Sequence, residues 1–189
     1  IEEELEFSET KYLPGYIRLK TLTNIANWEK FKEGYFTIQD ESTGLPCYLL
    51  APDENSRVLD MCAAPGGKTA LLADLMNNKG EIIALDKYES RLEVLRKNLL
   101  RLGVTNVKTT AIDALKYEDN EGFDRVLIDA PCSGLGTLKK RPDIKWKREI
   151  MDIRKLNPLQ IDLLRKASTL VNPGGFIVYS TCTIEPDEN

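Results

Sequence analysis

The sequence of 189 residues predicts an α/β fold, a doubly wound parallel sheet with helices packed on both faces. Three observations carry that prediction. Short Val, Ile and Leu-rich runs alternate with amphipathic stretches from residue 57 onward, each run ends in turn residues, and a glycine-rich turn joins the first run to the stretch after it. Runs at 57–61, 81–85, 107–112, 125–128 and 175–180 are therefore expected to be buried strands. Between them, 69–77 places Leu72, Leu75 and Met76 on one face, and 89–102 does the same with Leu92, Leu95, Leu99 and Leu102 before stopping at Gly103. A further helix is expected to start at Asn157, with Pro158 in its first turn and Gln160 three residues after the cap, and to end near Leu170. Asn172-Pro173-Gly174-Gly175 then turns the chain into the last strand.

Totals narrow the function. With 42% hydrophobic residues the chain can bury one full core, while a net charge of −4 excludes a generally basic surface, so any nucleic-acid contact must be local. No run approaches the roughly 18 apolar residues of a membrane span, and the first residues carry no charged-then-apolar export pattern; a cytoplasmic, monomeric protein is expected. The four cysteines, Cys47, Cys62, Cys132 and Cys182, lack the paired spacings of a zinc site, so reduced thiols and no metal are expected. Histidine is absent altogether, which removes Ser-His-Asp and Cys-His nucleophile pairs. Residues 1–36 differ in character, acidic at first and Trp-bearing later. They are expected to be the remnant of an N-terminal RNA-binding or linker region ahead of a domain at 37–189.

Ligands of an open parallel sheet sit at the carboxyl ends of its strands. Three segments with chemistry fall there. Cys62-Ala63-Ala64-Pro65-Gly66-Gly67-Lys68 is a turn whose backbone amides a ligand can approach, but it lacks a P-loop glycine at position 62 and has Lys68 where a dinucleotide turn needs glycine. Asp86 stands 20 residues after Gly66, where a carboxylate can accept a ribose diol; Asp113 and Asp129 close the next two strands. Each aspartate alone could equally be a helix cap or turn residue. A ligand with ribose and adenine but no phosphate grip fits best, which favours S-adenosylmethionine over NAD or ATP. Cys132, in Pro131-Cys132-Ser133, follows the strand that Asp129 closes, and Cys182, in Thr181-Cys182-Thr183, follows the last strand in a matching setting; together they suggest covalent chemistry. A buried, inert thiol is the bland alternative, and it suits Cys47 and Cys62.

Taken together, Cys62 to Lys68, Asp129-Ala130-Pro131-Cys132-Ser133-Gly134 and Ser180-Thr181-Cys182-Thr183 resemble the motifs of the Fmu/Sun (NOL1/NOP2/Sun) family of RNA cytosine-5 methyltransferases. Ile38-Gln39-Asp40-Glu41-Ser42, Pro186-Asp187-Glu188-Asn189 and Arg141-Pro142-Asp143-Ile144-Lys145-Trp146 extend the likeness, the last pointing to the bacterial ribosomal RNA branch. That resemblance implies a Rossmann-like class I methyltransferase fold using S-adenosylmethionine. It implies Cys182 as nucleophile, Cys132 as the residue assisting product release, and Cys62 to Lys68, Asp86, Arg91, Asp113 and Asp129 around the cofactor, with Asp129 alternatively facing the base. Family members usually continue with a further antiparallel strand pair and begin with a fuller RNA-binding region, so a fragment lacking both is expected. Lys139, Lys140, Arg141, Lys145, Trp146, Lys147 and Arg148 crowd one loop after the Cys132 strand and are expected to contact RNA, although most such runs are solvated faces. Ribosomal RNA is the preferred substrate and transfer RNA the second; a different methyltransferase or a non-catalytic RNA-binding module on the same fold are the competing readings.

Overall fold

A computed structural model describes residues 6–20 and 24–189; residues 1–5 and 21–23 of the expected N-terminal region lie outside the described residues. The chain opens with β1 (Phe7–Glu9) and β2 (Ile17–Leu19), an antiparallel pair separate from the main sheet. Helices α1 (Glu29–Lys32) and α2 (Glu41–Leu50) follow. This leading stretch is tied to the body by its own backbone: the Glu41 carboxylate accepts from the amides of Tyr12 and Leu13, and Arg101 donates to the carbonyls of Phe31 and Phe36.

The body then runs β3 (Arg57–Asp60), α3 (Gly67–Leu75), β4 (Glu81–Asp86), α4 (Glu89–Arg101), β5 (Val107–Ala111), β6 (Phe123–Asp129), α5 (Ile144–Lys147), α6 (Ile150–Leu170) and β7 (Val171–Ser180). Five strands form one parallel sheet in the order β5-β4-β3-β6-β7. The chain builds outward from β3 to β5, then returns to the other side of β3, so the order reverses between β3 and β6. In open α/β sheets that reversal, outside the strands' carboxyl ends, is where ligands bind.

Period-two alternation decides which face each strand residue serves. Leu59, Leu85, Val126 and Ile128 pack toward α6 through Leu163, Ala167 and Leu170, whereas Val58, Ile82 and Leu127 pack toward α2 and α3 through Cys47, Leu50, Leu72 and Met76. Ala84 meets Leu92, Leu95 and Leu99 of α4. All three sets are buried, and each large side chain in them contributes about 1.5–3 kcal/mol relative to exposure. Both sheet faces are thus covered, as the unbroken apolar runs require.

Two expected boundaries are corrected. Helix α6 starts seven residues before Asn157, at Ile150, and Pro158 lies inside it. The start is a capping box, in which the Glu149 amide donates to Asp152 at 3.1 Å; Asn157 instead spends its amide on the carbonyl of Asp187. Strand β7 begins at Val171, before the glycines: Phe123 pairs with Val171 but Arg125 with Phe176, so the Asn172-Pro173-Gly174-Gly175 turn becomes a bulge within the strand. Gly174 holds φ 84° there, a conformation that favours glycine. Among the described residues no helix is long and apolar enough to cross a membrane.

Candidate active site

Asp129 and Ser180 are partners at the level ends of β6 and β7, and the Ala130 amide donates to the Ser180 carbonyl at 2.9 Å. The two chains therefore leave the sheet side by side. Cys132 comes three residues after one end and Cys182 two after the other, which brings their Sγ atoms to 3.0 Å. Both thiols are free, well beyond the covalent S–S length of about 2.05 Å. The Cys182 amide also donates to Cys132 Sγ at 3.2 Å, and the Gly136 amide holds the Cys182 carbonyl at 3.0 Å. A side chain at Gly136 would sit 2.9 Å from that carbonyl oxygen, so only glycine allows this approach.

The two sulfurs are not equivalent. Cys182 is exposed while Cys132 is partly covered. The hydrogen bond between the two sulfurs, in which either can donate, lowers the exposed Cys182 thiol to about 7, and the same bond, reinforced by burial, pushes Cys132 well above the ordinary thiol range. One proton thus leaves this pair near neutrality, and the charge settles on Cys182. Cys62 is pushed up to about 12 by burial and by the carboxylates of Asp60, Asp129 and Asp86, and burial pushes Cys47 up as well. The inert reading of those two cysteines agrees with this.

The glycine turn lies at the end of β3, next to β6. Gly66 has φ 102°, and a Cβ there would stand 2.8 Å from Leu95 Cγ, while the space above Gly67 is open to within 3.8 Å of Gln39. Gly66 is thus required by packing against α4, and Gly67 is the position whose backbone stands open. Lys68 reaches out of the turn to Asp129 at 2.6 Å, and Ser180 donates to the other oxygen of the same carboxylate at 3.0 Å. That ion pair joins the glycine turn to the thiol loops, and the sequence reading had placed its two members separately.

Asp86 ends β4 and is nearly buried; it accepts from the Tyr88 amide at 3.0 Å and pairs with Arg91 at 2.9 Å. Arg91 in turn donates to the Ala64 carbonyl at 2.7 Å, bracing the turn from behind. Asp113 lies two residues beyond the end of β5, where it caps a short 3-10 turn by accepting from Leu115 and pairs with Lys87 at 3.3 Å. Its expected position at the strand end is corrected accordingly. Asp60, absent from the sequence expectations, is buried under the turn: Thr69 donates to Oδ2 at 2.8 Å, Oδ1 has no partner, and burial raises the carboxyl to about 7. Its only sequence signal was a carboxylate in an otherwise apolar strand.

The basic side chains from Lys139 to Arg148 are exposed, with Trp146 83% exposed, while Ile144 between them is buried and anchors the loop. Some of its charge is already used. Lys140 pairs with Asp40, Lys147 with Asp143 at 2.9 Å, and Arg148 donates to the Ser133 carbonyl at 3.0 Å, which ties the loop to the residue after Cys132. A cavity of about 690 Å³ lies elsewhere, lined by Tyr16, Trp28, Phe36, Ile38, Leu71 and Leu102 among others, and includes neither thiol. Among the described residues no group of three potential ligands could hold a metal ion.

A family model described as 16S rRNA methyltransferase RsmB/F matches residues 47–189. The probable ribosomal RNA small subunit methyltransferase B of Bacillus subtilis (strain 168) is 42% identical over 168 residues, which is 87% of this chain and 38% of that protein. The 28S rRNA (cytosine-C(5))-methyltransferase of Mus musculus is 44% identical over 165 residues, 85% of this chain and 21% of the relative. Among solved structures, NSun6 from Pyrococcus horikoshii with SFG superposes with a TM-score of 0.83 at 38% identity, covering 92% of this chain and 46% of that one. The chain thus spans less than half the length of each of these three proteins.

Proposed function

The chain belongs to the 16S rRNA methyltransferase RsmB/F family, and on that premise we propose that it transfers a methyl group from S-adenosylmethionine to carbon 5 of a cytosine in ribosomal RNA, through a covalent bond between Cys182 and carbon 6. The observation that carries this reading is the thiol pair, 3.0 Å apart, exposed on the Cys182 side, beyond the carboxyl ends of β6 and β7 and joined to the glycine turn through the Lys68–Asp129 ion pair.

Cytosine carbon 5 is too weak a nucleophile to take a methyl group unaided. Addition of the Cys182 thiolate to carbon 6 turns the ring into an enamine whose carbon 5 can attack. A thiol held at about 7 is substantially ionised at neutral pH, and no histidine is needed to activate it. Once Cys182 is bonded to carbon, the negative charge that kept the Cys132 proton in place is gone. Cys132 can then ionise and help remove the carbon-5 proton, after which the Cys182 sulfur is expelled. Asp129, braced by Lys68 and Ser180, stands at the same edge and suits either the cofactor or the ring nitrogen edge of the base.

The residues present fit the cofactor. Gly67 leaves its backbone open, and Asp86 keeps lone pairs for ribose hydroxyls beyond its bonds to Tyr88 and Arg91. S-adenosylmethionine supplies the electrophilic methyl group. Lys139, Lys140, Arg141, Lys145, Lys147 and Arg148 would meet phosphates, with Trp146 as a stacking face, and the target base must leave any stack to reach Cys182.

Methyl-labelled S-adenosylmethionine offered with unmethylated ribosomal RNA and, separately, transfer RNA tests the proposal, with bisulfite sequencing to locate the product. Transfer into ribosomal RNA by the native protein and none by Cys182→Ala is expected. Turnover by Cys182→Ala would remove the nucleophile assignment, and label in transfer RNA alone would move the substrate.

A further inference from the structure

Behind the two cysteines lies a buried carboxylate that the chemistry above leaves without a task. Glu188, in the Pro186-Asp187-Glu188-Asn189 segment, is 2% exposed, and no cation pairs with it among the described residues. Its partners are neutral donors from two directions. The Ser133 amide donates to Oε1 at 2.8 Å and the Ser133 hydroxyl to Oε2 at 2.5 Å, while Gln160 of α6 donates to Oε1 at 3.0 Å and, from the same nitrogen, to the Pro131 carbonyl at 2.8 Å. Burial alone would raise this carboxyl. The hydrogen bonds from Ser133, Gln160 and Thr183 outweigh it and hold the group below its ordinary value, so it stays ionised.

Donor accounting orients the rest. The Ser133 hydroxyl has one proton and gives it to Glu188, so across the 2.9 Å contact between Ser133 Oγ and Thr183 Oγ1 the donor is Thr183. Thr183 Oγ1 then accepts from the Glu185 amide at 3.2 Å. A one-way chain therefore runs from Glu185 through Thr183 and Ser133 to Glu188. Ser133 directly follows Cys132, and Thr183 directly follows Cys182. Arg148 holds the one remaining polar atom of Ser133, its carbonyl.

We infer that Glu188, with Gln160 behind it, is a positioning residue that binds the two cysteine loops to each other and so fixes the distance and protonation order of the Cys132–Cys182 pair. A hydrogen bond between two thiols is weak and cannot align itself against thermal motion of two exposed loops. The charged acceptor supplies what the sulfurs lack. Its bonds are charge-assisted and directional, and they act on residues one position removed from each sulfur. This inference rests on the proposed reaction for its purpose, but its geometry concerns only the thiols.

The test reads the thiols directly. Glu188→Ala, Glu188→Gln and Ser133→Ala are compared with the native protein by the pH dependence of iodoacetamide alkylation at Cys182, located by peptide mass spectrometry, and by kcat and KM. Glu188→Ala is expected to move the Cys182 midpoint up toward its ordinary value of 9.0 and to lower kcat roughly tenfold, with KM for S-adenosylmethionine unchanged. The amide of Glu188→Gln keeps an acceptor for the Ser133 amide and Gln160 but loses the charge and turns the Ser133 hydroxyl round, so the midpoint of this variant should lie between those of the native protein and Glu188→Ala. Ser133→Ala breaks the hydroxyl chain alone and should shift the midpoint in the same direction by less. A native midpoint in both Glu188→Ala and Ser133→Ala overturns the inference, and if Glu188→Ala does not fold, an unmoved Ser133→Ala does so by itself. A purely structural clasp would lower the melting temperature without moving the midpoint, which is also a refutation. Should the native protein methylate no RNA, the proposed function fails, while the alkylation midpoints still decide this point.

Discussion

Replacing Cys132 with alanine removes the S–H donor that holds the Cys182 thiol at about 7, below its ordinary value of 9.0. Without that donor the Cys182 midpoint should return toward 9. At pH 7 the thiolate fraction would then fall from about one half to about one hundredth, a drop of roughly 50-fold. The rate of alkylation should fall by less, because a more basic thiolate is a better nucleophile: with a Brønsted slope of about 0.45, two pH units return roughly eightfold. The net loss at pH 7 is therefore about sixfold, and above about pH 8, where native Cys182 is already ionised, the variant should react faster than the native protein. Iodoacetamide rates at Cys182 from pH 5.5 to 10, followed by peptide mass spectrometry, would show the two curves crossing. Cys132→Ser, which keeps a donor, should lie between them. A Cys132→Ala curve that superimposes on the native one would mean that the 3.0 Å contact does not govern the nucleophile.

Other outcomes follow from the same geometry. Gly66→Ala must place a Cβ 2.8 Å from Leu95 Cγ at φ 102°, and should cost about 1–3 kcal/mol in chemical denaturation together with a weaker grip on S-adenosylmethionine. Asp60 has its carboxyl raised from 3.8 to about 7, so the stability it contributes is full below pH 3.8 and lost as the pH rises through 7, where a charge is buried. Asp60→Asn should accordingly gain in melting temperature over the native protein as the pH goes from 5 to 8, and a constant or shrinking difference would contradict this. Trp146→Ala should weaken RNA binding by about 1–3 kcal/mol at all salt concentrations, whereas Lys139→Ala should reduce the slope of log affinity against log salt by about one.

Where sequence reading succeeded, the signal was local. The strand runs and the heptad-like leucines of α4 needed only periodicity, and Gly103, at φ 70°, ends that helix as expected. The cysteine motifs were legible because each follows a recognisable strand, so topology alone brings Cys132 and Cys182 together. Helix α2 was missed because Gly44 and Pro46 argue against a helix. The structure requires Gly44, where a Cβ would stand 2.3 Å from the Tyr16 hydroxyl, so packing of the N-terminal stretch overrides propensity. Pro158 misled in the opposite way: it suggested a first turn, but the cap is Glu149 with Asp152, a pair outside the usual Ser/Thr pattern. The Ser133–Glu188 contact spans 55 residues and the Lys68–Asp129 pair 61, and no local pattern encodes either.

The direct test of covalent catalysis is to incubate Cys132→Ala with unmethylated ribosomal RNA and S-adenosylmethionine, isolate any protein-RNA species that survives denaturation, and map the modified peptide. The account predicts an adduct in which a methylated cytosine is attached to Cys182. An adduct on another residue, or methylated RNA released without any trapped species, would contradict it.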